Sequence, residues 1–191
     1  LFSSAVRRCV AGSLPPMEGV LPLPPVGSQE TSVDVLVCGA GPVGLLLSCY
    51  LKNAGLDVAL VDPHLHPGSQ SKAAVTMPRS LEVMELLGVG YRLQQQGRRL
   101  RCARMSLTKS TWDVEVSGFS QAYIPSQFSP HTVGQCHVER TLDEHYRELG
   151  GRLYRAARFV GCKGVADGVE VQVERHAYVR PPGVPPPFPV H

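Results

Sequence analysis

The sequence predicts an α/β fold, and three features between Val33 and Asp62 carry that prediction. The first is an apolar run from Val33 to Cys38. The second is a glycine-rich turn, Gly39-Ala-Gly-Pro-Val-Gly44, that opens an apolar helical stretch. The third is another apolar run, Val58-Ala-Leu-Val, closed by Asp62. Residues 33–38 do not alternate, as expected of a parallel strand covered on both faces. Pro42 suits the first turn of a helix, where its missing N–H costs nothing. That helix runs to about Ala54 and stops at Gly55, a C-terminal signal; Val58 to Val61 is then the second parallel strand.

The rest of the chain changes character. Residues 63–77 are rich in Pro, His, Gly and Ser and predict a long excursion. A second helix follows, with Leu81, Met84, Glu85 and Leu87 at helical spacing and a stop at Gly88. Arg104 to Thr108 and Trp112 to Val116 alternate around Lys109-Ser110, which predicts an antiparallel hairpin with Trp112 in the core. An amphipathic helix is expected from about Val138 to Leu149, ending at Gly150-Gly151. Phe159 to Val165 and Val169 to Glu174 flank Asp167-Gly168, a tight-hairpin signal.

Both ends depart from this pattern. Residues 1–31 carry Arg7, Arg8, several serines and a Pro-rich stretch from Pro15 to Pro25, with no acid before Glu18. They are expected to be a disordered leader or the remnant of an organellar transit peptide. Residues 32–178 form the expected domain, and residues 179–191 a Pro-rich disordered tail.

Composition narrows the function classes. The net charge is only +3, with 43% hydrophobic and 18% charged residues, and the basic residues are scattered, so no nucleic-acid partner is expected. No apolar run reaches the length of a transmembrane segment. Six cysteines occur without a Cys-x-x-Cys, which argues against a disulfide framework and for a reducing compartment. The expected location is cytoplasmic, or mitochondrial or otherwise organellar if the leader is a transit peptide. Cys38 in its strand and Cys49 in the helix read as small buried hydrophobes. His64 and His66 lie between Pro63 and Pro67 in a loop, so no metal site is expected. His131 and His137 have no adjacent nucleophile and read as surface or capping residues.

The turn carries the chemistry. Strand, glycine turn, helix, strand and terminal acid together make a Rossmann-like βαβ unit, the plan of dinucleotide-binding folds. Gly39 lets the chain leave its strand sharply, Gly41 keeps side-chain atoms away from a pyrophosphate, and Gly44 lets the helix pack closely on the sheet. Pro42 and Val43 complete the turn. The helix N-terminus offers unpaired N–H donors and a partial positive charge to phosphates. Asp62 is placed to accept hydrogen bonds from a ribose diol and disfavours a 2′-phosphate. These features suit FAD and NAD equally.

With those residues in hand, the chain resembles the FAD-dependent aromatic hydroxylases, the single-component flavoprotein monooxygenases that include p-hydroxybenzoate hydroxylase and phenol hydroxylase. Gly39-Ala-Gly-Pro-Val-Gly44-Leu-Leu-Leu is similar to that family's FAD fingerprint, with Ser48 where Gly or Ala is usual. Ser71-Lys-Ala-Ala-Val-Thr-Met-Pro-Arg79, running on to Gly88, is similar to the next family segment. Gly134-Gln135 and Val138-Glu-Arg-Thr-Leu142 resemble a third, and the likeness spans roughly residues 33–175.

The resemblance implies that Gly39, Gly41 and Gly44 meet the FAD pyrophosphate, Asp62 the adenosine ribose and Gln135 the flavin side of the cofactor. Gln135 also reads as a helix cap, and Arg79 as either the family's arginine or a solvated helix-start charge. Lys72 stands where the family has Arg and lacks its bidentate fork. The implied reaction is hydroxylation of a small aromatic, phenolic substrate, with NAD(P)H as co-substrate and the flavin supplying the redox chemistry. The implied architecture adds the beginning of an antiparallel substrate-domain sheet to the FAD-binding unit. The family's later Asp-Gly and Gly-Asp blocks do not occur after Asp167-Gly168, so a truncated FAD-binding domain is expected. Neither the substrate nor catalytic residues nor the oligomeric state can be read from it. Two alternatives stay open: an NAD-binding dehydrogenase-like module, which would continue in parallel βα units after Asp62, and a truncated, non-catalytic FAD-binding protein.

Overall fold

The structure, a computed structural model, describes residues 5–10, 32–67, 73–107, 110–115 and 126–175. The chain divides into two compact units, Leu1–Ser69 with Asp143–His191, and Gln70–Leu142. In chain order the elements are β1 (Ala5–Val10), β2 (Val35–Cys38), α1 (Pro42–Asn53), β3 (Val58–Asp62), α2 (Pro78–Glu85), α3 (Gly90–Gln95) and β4 (Arg98–Arg99). They continue with β5 (Cys102–Leu107), β6 (Ser110–Glu115), β7 (His131–Thr132), α4 (Gln135–Glu148), β8 (Arg152–Arg155), β9 (Ala157–Val165) and β10 (Gly168–Arg175).

In the first unit, β2, β3 and β8 form a parallel sheet in that order. The predicted βαβ unit is present: α1 connects β2 to β3, and the two strands pair from Val35↔Val58 to Cys38↔Val61. All five residues of the central β3 are buried. Among the described residues β2 is an edge strand, with Val37 buried and Cys38 exposed. The expectation of a buried Cys38 therefore fails: it is the last residue of β2, and the strand is only partly covered along its faces. Cys49, on α1, is buried as expected, and burial raises its thiol pKa to about 12.

A second sheet in this unit has the order β1-β10-β9. β9 and β10 form the hairpin that Asp167-Gly168 signals, with Val165 opposite Gly168, so the two-residue turn is Ala166-Asp167. β1 runs parallel to β10. Residues 5–10 are thus a strand inside the segment expected to be a disordered leader or a transit-peptide remnant; the open edge of β10 offers main-chain partners that sequence pattern does not reveal. Val61, Ala157, Val171 and Val173 form a buried apolar cluster, with Leu36, Tyr154 and Val169 packed against it.

Two features hold β8 in place. Tyr146 on α4 is fully buried, and a Cβ at Gly151 would fall on its ring. Its hydroxyl donates to the Val58 carbonyl at 2.9 Å, bridging helix and central strand, and burial pushes the phenol up to about 12. Between β8 and β9 stands one residue, Ala156, with φ of 53°. A left-handed conformation costs a non-glycine residue on the order of 1–2 kcal/mol. Its N–H donates to the His64 carbonyl at 3.3 Å.

In the second unit, Leu81, Met84, Leu87, Leu93, Phe128 and Val133 are buried, and the Tyr91 and Phe128 rings lie 5.1 Å apart. β4 and β7 form a short antiparallel ladder, and β5 and β6 the predicted hairpin, with Leu107 opposite Ser110, so that Ser110 opens the second strand instead of forming the turn and both strands begin two residues earlier than expected. Trp112 is not in the core: β6 is exposed along its length and Trp112 is 42% exposed. A two-stranded sheet has no second layer of its own to bury an aromatic ring. His131, expected at the surface or in a cap, is buried on β7, its Nδ1 2.7 Å from the Ser129 carbonyl oxygen. α4 begins at Gln135, earlier than the expected Val138. Among the described residues, no helix is long and apolar enough to cross a membrane.

The Tyr146 bridge is directly testable. Tyr146→Phe removes one donor and leaves the Val58 carbonyl short of a partner, so it is expected to lower unfolding free energy by about 1–3 kcal/mol. Urea denaturation of the two proteins measures this.

Candidate dinucleotide site

The site begins where β2 ends. Gly39 has φ of +106°, a value side chains resist, and this reverses the chain off the strand. Its N–H donates to the Val61 carbonyl at 2.7 Å, so the turn still leans on the neighbouring strand. The next N–H, of Ala40, donates to Asp62 Oδ2 at 2.7 Å. Gly41 is the N-cap of α1, in an extended conformation with no side-chain cap, and Pro42 follows at the first helical turn. The first bond of the helix runs from the Leu45 N–H to the Gly41 carbonyl at 3.0 Å. The N–H groups of Val43 and Gly44 precede that bond, so the helix start offers donors without a capping side chain.

The glycines play different parts. A Cβ at Gly44 would overlap the Gly39 carbonyl oxygen and come within 3.5 Å of Val37 Cγ1. Glycine there is a packing requirement. A Cβ at Gly41 would meet nothing within 4 Å. Glycine there is not needed to build the turn, and open space lies beside its backbone. Val43 is 80% exposed although apolar. Ser48, where a smaller residue suits close packing, is buried and donates its hydroxyl to the Gly44 carbonyl at 2.8 Å, a bond that satisfies it within the helix.

Asp62 ends β3 beside this turn and is only 7% exposed. Besides Ala40, it accepts from the His64 N–H at 2.8 Å on Oδ1, with His64 Nδ1 at 3.1 Å. Arg155 Nη1 lies 3.9 Å from the same oxygen. The carboxylate thus braces the turn as well as facing it. Arg155 was not among the residues singled out by sequence; it is a buried guanidinium at the end of a four-residue strand.

Gly39, Gly41, Pro42, Val43, Gly44 and Asp62 all belong to the first unit. Gln135 belongs to the second. It is the first residue of α4, and its Nε2 donates to Glu139 Oε1 at 2.7 Å, one turn along. Lys72 lies outside the described residues. Arg79 is exposed at the start of α2 and pairs with Glu82 at 3.0 Å.

A strand, glycine turn, uncapped helix start and second strand in this arrangement define an α/β domain of the dinucleotide-binding type. A family model described as the FAD binding domain matches residues 32–179, and the chain belongs to that family. It is 31% identical over 140 residues to a 12-dehydrotetracycline 5-monooxygenase/anhydrotetracycline 6-monooxygenase of Streptomyces rimosus subsp. rimosus, a match covering 73% of this chain and 27% of that relative. It is 29% identical over 139 residues to an uncharacterized aromatic compound monooxygenase of Bacillus subtilis, covering 72% of this chain and 26% of that protein.

Among solved structures, anhydrotetracycline hydroxylase from Streptomyces rimosus superposes with a TM-score of 0.62 at 29% identity, over 74% of this chain and 28% of the other. A p-nitrophenol 4-monooxygenase from Pseudomonas putida shares the fold at a TM-score of 0.62 and 16% identity, over 73% of this chain and 38% of that one. The chain spans little more than a quarter of the length of the curated relatives it matches.

The two glycines separate packing from access. Gly44→Ala is expected to cost roughly 3 kcal/mol or more, because the clash is with backbone. Gly41→Ala is expected to stay within about 1 kcal/mol of wild type, since its φ of −77° suits alanine. Thermal denaturation followed by circular dichroism distinguishes them.

Proposed function

We propose that this chain is the FAD-binding portion of an NAD(P)H- and oxygen-dependent flavoprotein monooxygenase that hydroxylates a small aromatic, phenolic substrate. The observation that carries the reading is the turn itself: an uncapped start to α1 with open space beside Gly41, in a chain that belongs to the FAD-binding-domain family. The names of the relatives, a 12-dehydrotetracycline and anhydrotetracycline monooxygenase and an aromatic compound monooxygenase, support the reaction class.

The residues present fit the cofactor. Backbone N–H groups at Val43 and Gly44 would hold the diphosphate, with Gly39, Gly41 and Pro42 shaping the approach. Asp62 would accept from the adenosine ribose. Gln135 and Lys72 would serve the flavin side, Lys72 as a point charge rather than a fork. When bound, FAD supplies the redox and oxygen-transfer chemistry; this chain's part is to bind, orient and shield it. Cys38, Cys49, Cys102, Cys136 and Cys162 are free thiols, which suits a reducing compartment such as the cytoplasm.

The test is a titration of the purified chain with FAD and, separately, NADH, followed by flavin absorbance and calorimetry. FAD is expected to bind. Binding of NADH without FAD would instead support a dehydrogenase-like module, and binding of neither a protein that has lost the function. Gly41→Val is expected to abolish FAD binding while the domain stays folded; unchanged affinity would remove the diphosphate from this turn. Asp62→Ala is expected to weaken binding by about 1–2 kcal/mol through lost charge-assisted hydrogen bonds.

A further inference from the structure

Arg155 occupies a position that few arginines tolerate. It ends β8 in direct register with Asp62 on β3, and is 5% exposed. A buried guanidinium is costly unless carboxylates face it. Here two do. Nη1 lies 3.9 Å from Asp62 Oδ1, an ion pair longer than a hydrogen bond, and Nη2 lies 3.3 Å from Asp143 Oδ2. Asp143 in turn accepts from Arg147 Nε at 2.7 Å on its other oxygen. The charges therefore alternate, Arg147, Asp143, Arg155, Asp62, from α4 through β8 to the end of β3.

The two oxygens of Asp62 are treated unequally. Oδ1 takes the His64 N–H, faces the His64 ring nitrogen and lies against Arg155. Among the described residues, Oδ2 takes only the Ala40 N–H, in the glycine turn. A carboxylate oxygen accepts at about two positions, so Oδ2 keeps one acceptor site on the side of the turn. We propose that Arg155, backed by Asp143, is a positioning residue of the adenosine-ribose subsite: it draws Oδ1 inward and presents Oδ2 to a ribose hydroxyl. This rests on the FAD reading above and adds a residue to it. Lysine would be a poor replacement, because one ammonium lacks the two-pronged geometry that spans both carboxylates.

The test uses the whole chain and three probes: FAD, FAD lacking the 2′-hydroxyl of the adenosine ribose, and FMN, which lacks the adenosine. Wild type is expected to prefer FAD over its deoxy analogue by about tenfold, the value of one charge-assisted hydrogen bond. In Arg155→Lys that preference should fall severalfold. In the charge-balanced pair Arg155→Met with Asp143→Asn, it should shrink to nearly one. Affinity for the deoxy analogue and for FMN should change little in either variant, which a general loss of structure would not allow; thermal midpoints check folding.

A variant that retains the wild-type preference overturns the assignment of Arg155. So does a wild type that binds both forms of FAD equally. A wild type that binds no FAD at all overturns the cofactor reading, and this inference with it.

Discussion

The main chain leaving β2 must reverse into α1 within a few residues, and the room for that reversal at Gly44 is one hydrogen atom wide. Because a methyl group there would overlap the Gly39 carbonyl oxygen, the helix can begin almost on top of the strand end. That proximity keeps the Gly39 N–H on the Val61 carbonyl and the Ala40 N–H on Asp62. Two main-chain donors of the turn are thereby turned toward β3 and its terminal acid. The next ones, at Val43 and Gly44, have no side chain to cap them. Close packing on one side of the turn and open backbone on the other are two results of the same constraint.

The neighbouring elements hold this corner from behind. Tyr146 fastens α4 to β3 through the Val58 carbonyl, and its ring occupies the space that glycine at 151 leaves at the start of β8. Asp143, one turn earlier on the same helix, faces Arg155 at the far end of that strand. α4 thus secures both ends of β8, one by packing of the Tyr146 ring at Gly151, the other by buried charge. Removing half of a buried charge pair costs more than the intact pair contributes, so this arrangement specifies geometry more than it adds stability.

The βαβ unit was legible in sequence because its determinants are local: glycine spacing, an apolar helix, an acid at a strand end. The β9–β10 hairpin was legible for the same reason, to within one residue at its turn. What escaped depended on distant partners. β8 is four residues long and half of them are arginine, so nothing in Arg152-Leu-Tyr-Arg155 suggests a buried parallel strand; Arg155 is buried only because Asp62 and Asp143 face it. Cys38 and Trp112 carry apolar signals, yet edge position and the lack of a covering layer leave both exposed. The pairing of residues 5–10 with β10 is set by an open strand edge, not by their own pattern. The candidate site divides likewise: its turn was readable, while the groups orienting its acid were not.

Ala156 gives the chain its passage from the parallel β2-β3-β8 sheet to the mixed β1-β10-β9 sheet, and it does so in a left-handed conformation with a side chain still attached. Sequence change at this corner therefore has an asymmetric landscape: glycine relaxes the bend, whereas valine, isoleucine or threonine would oppose it. Its neighbours are Arg155, facing Asp62, and Ala157, in the apolar cluster. Drift at Ala156 would thus be felt on both sides of the bend at once, in the placing of the Arg155 guanidinium and in the packing of Ala157.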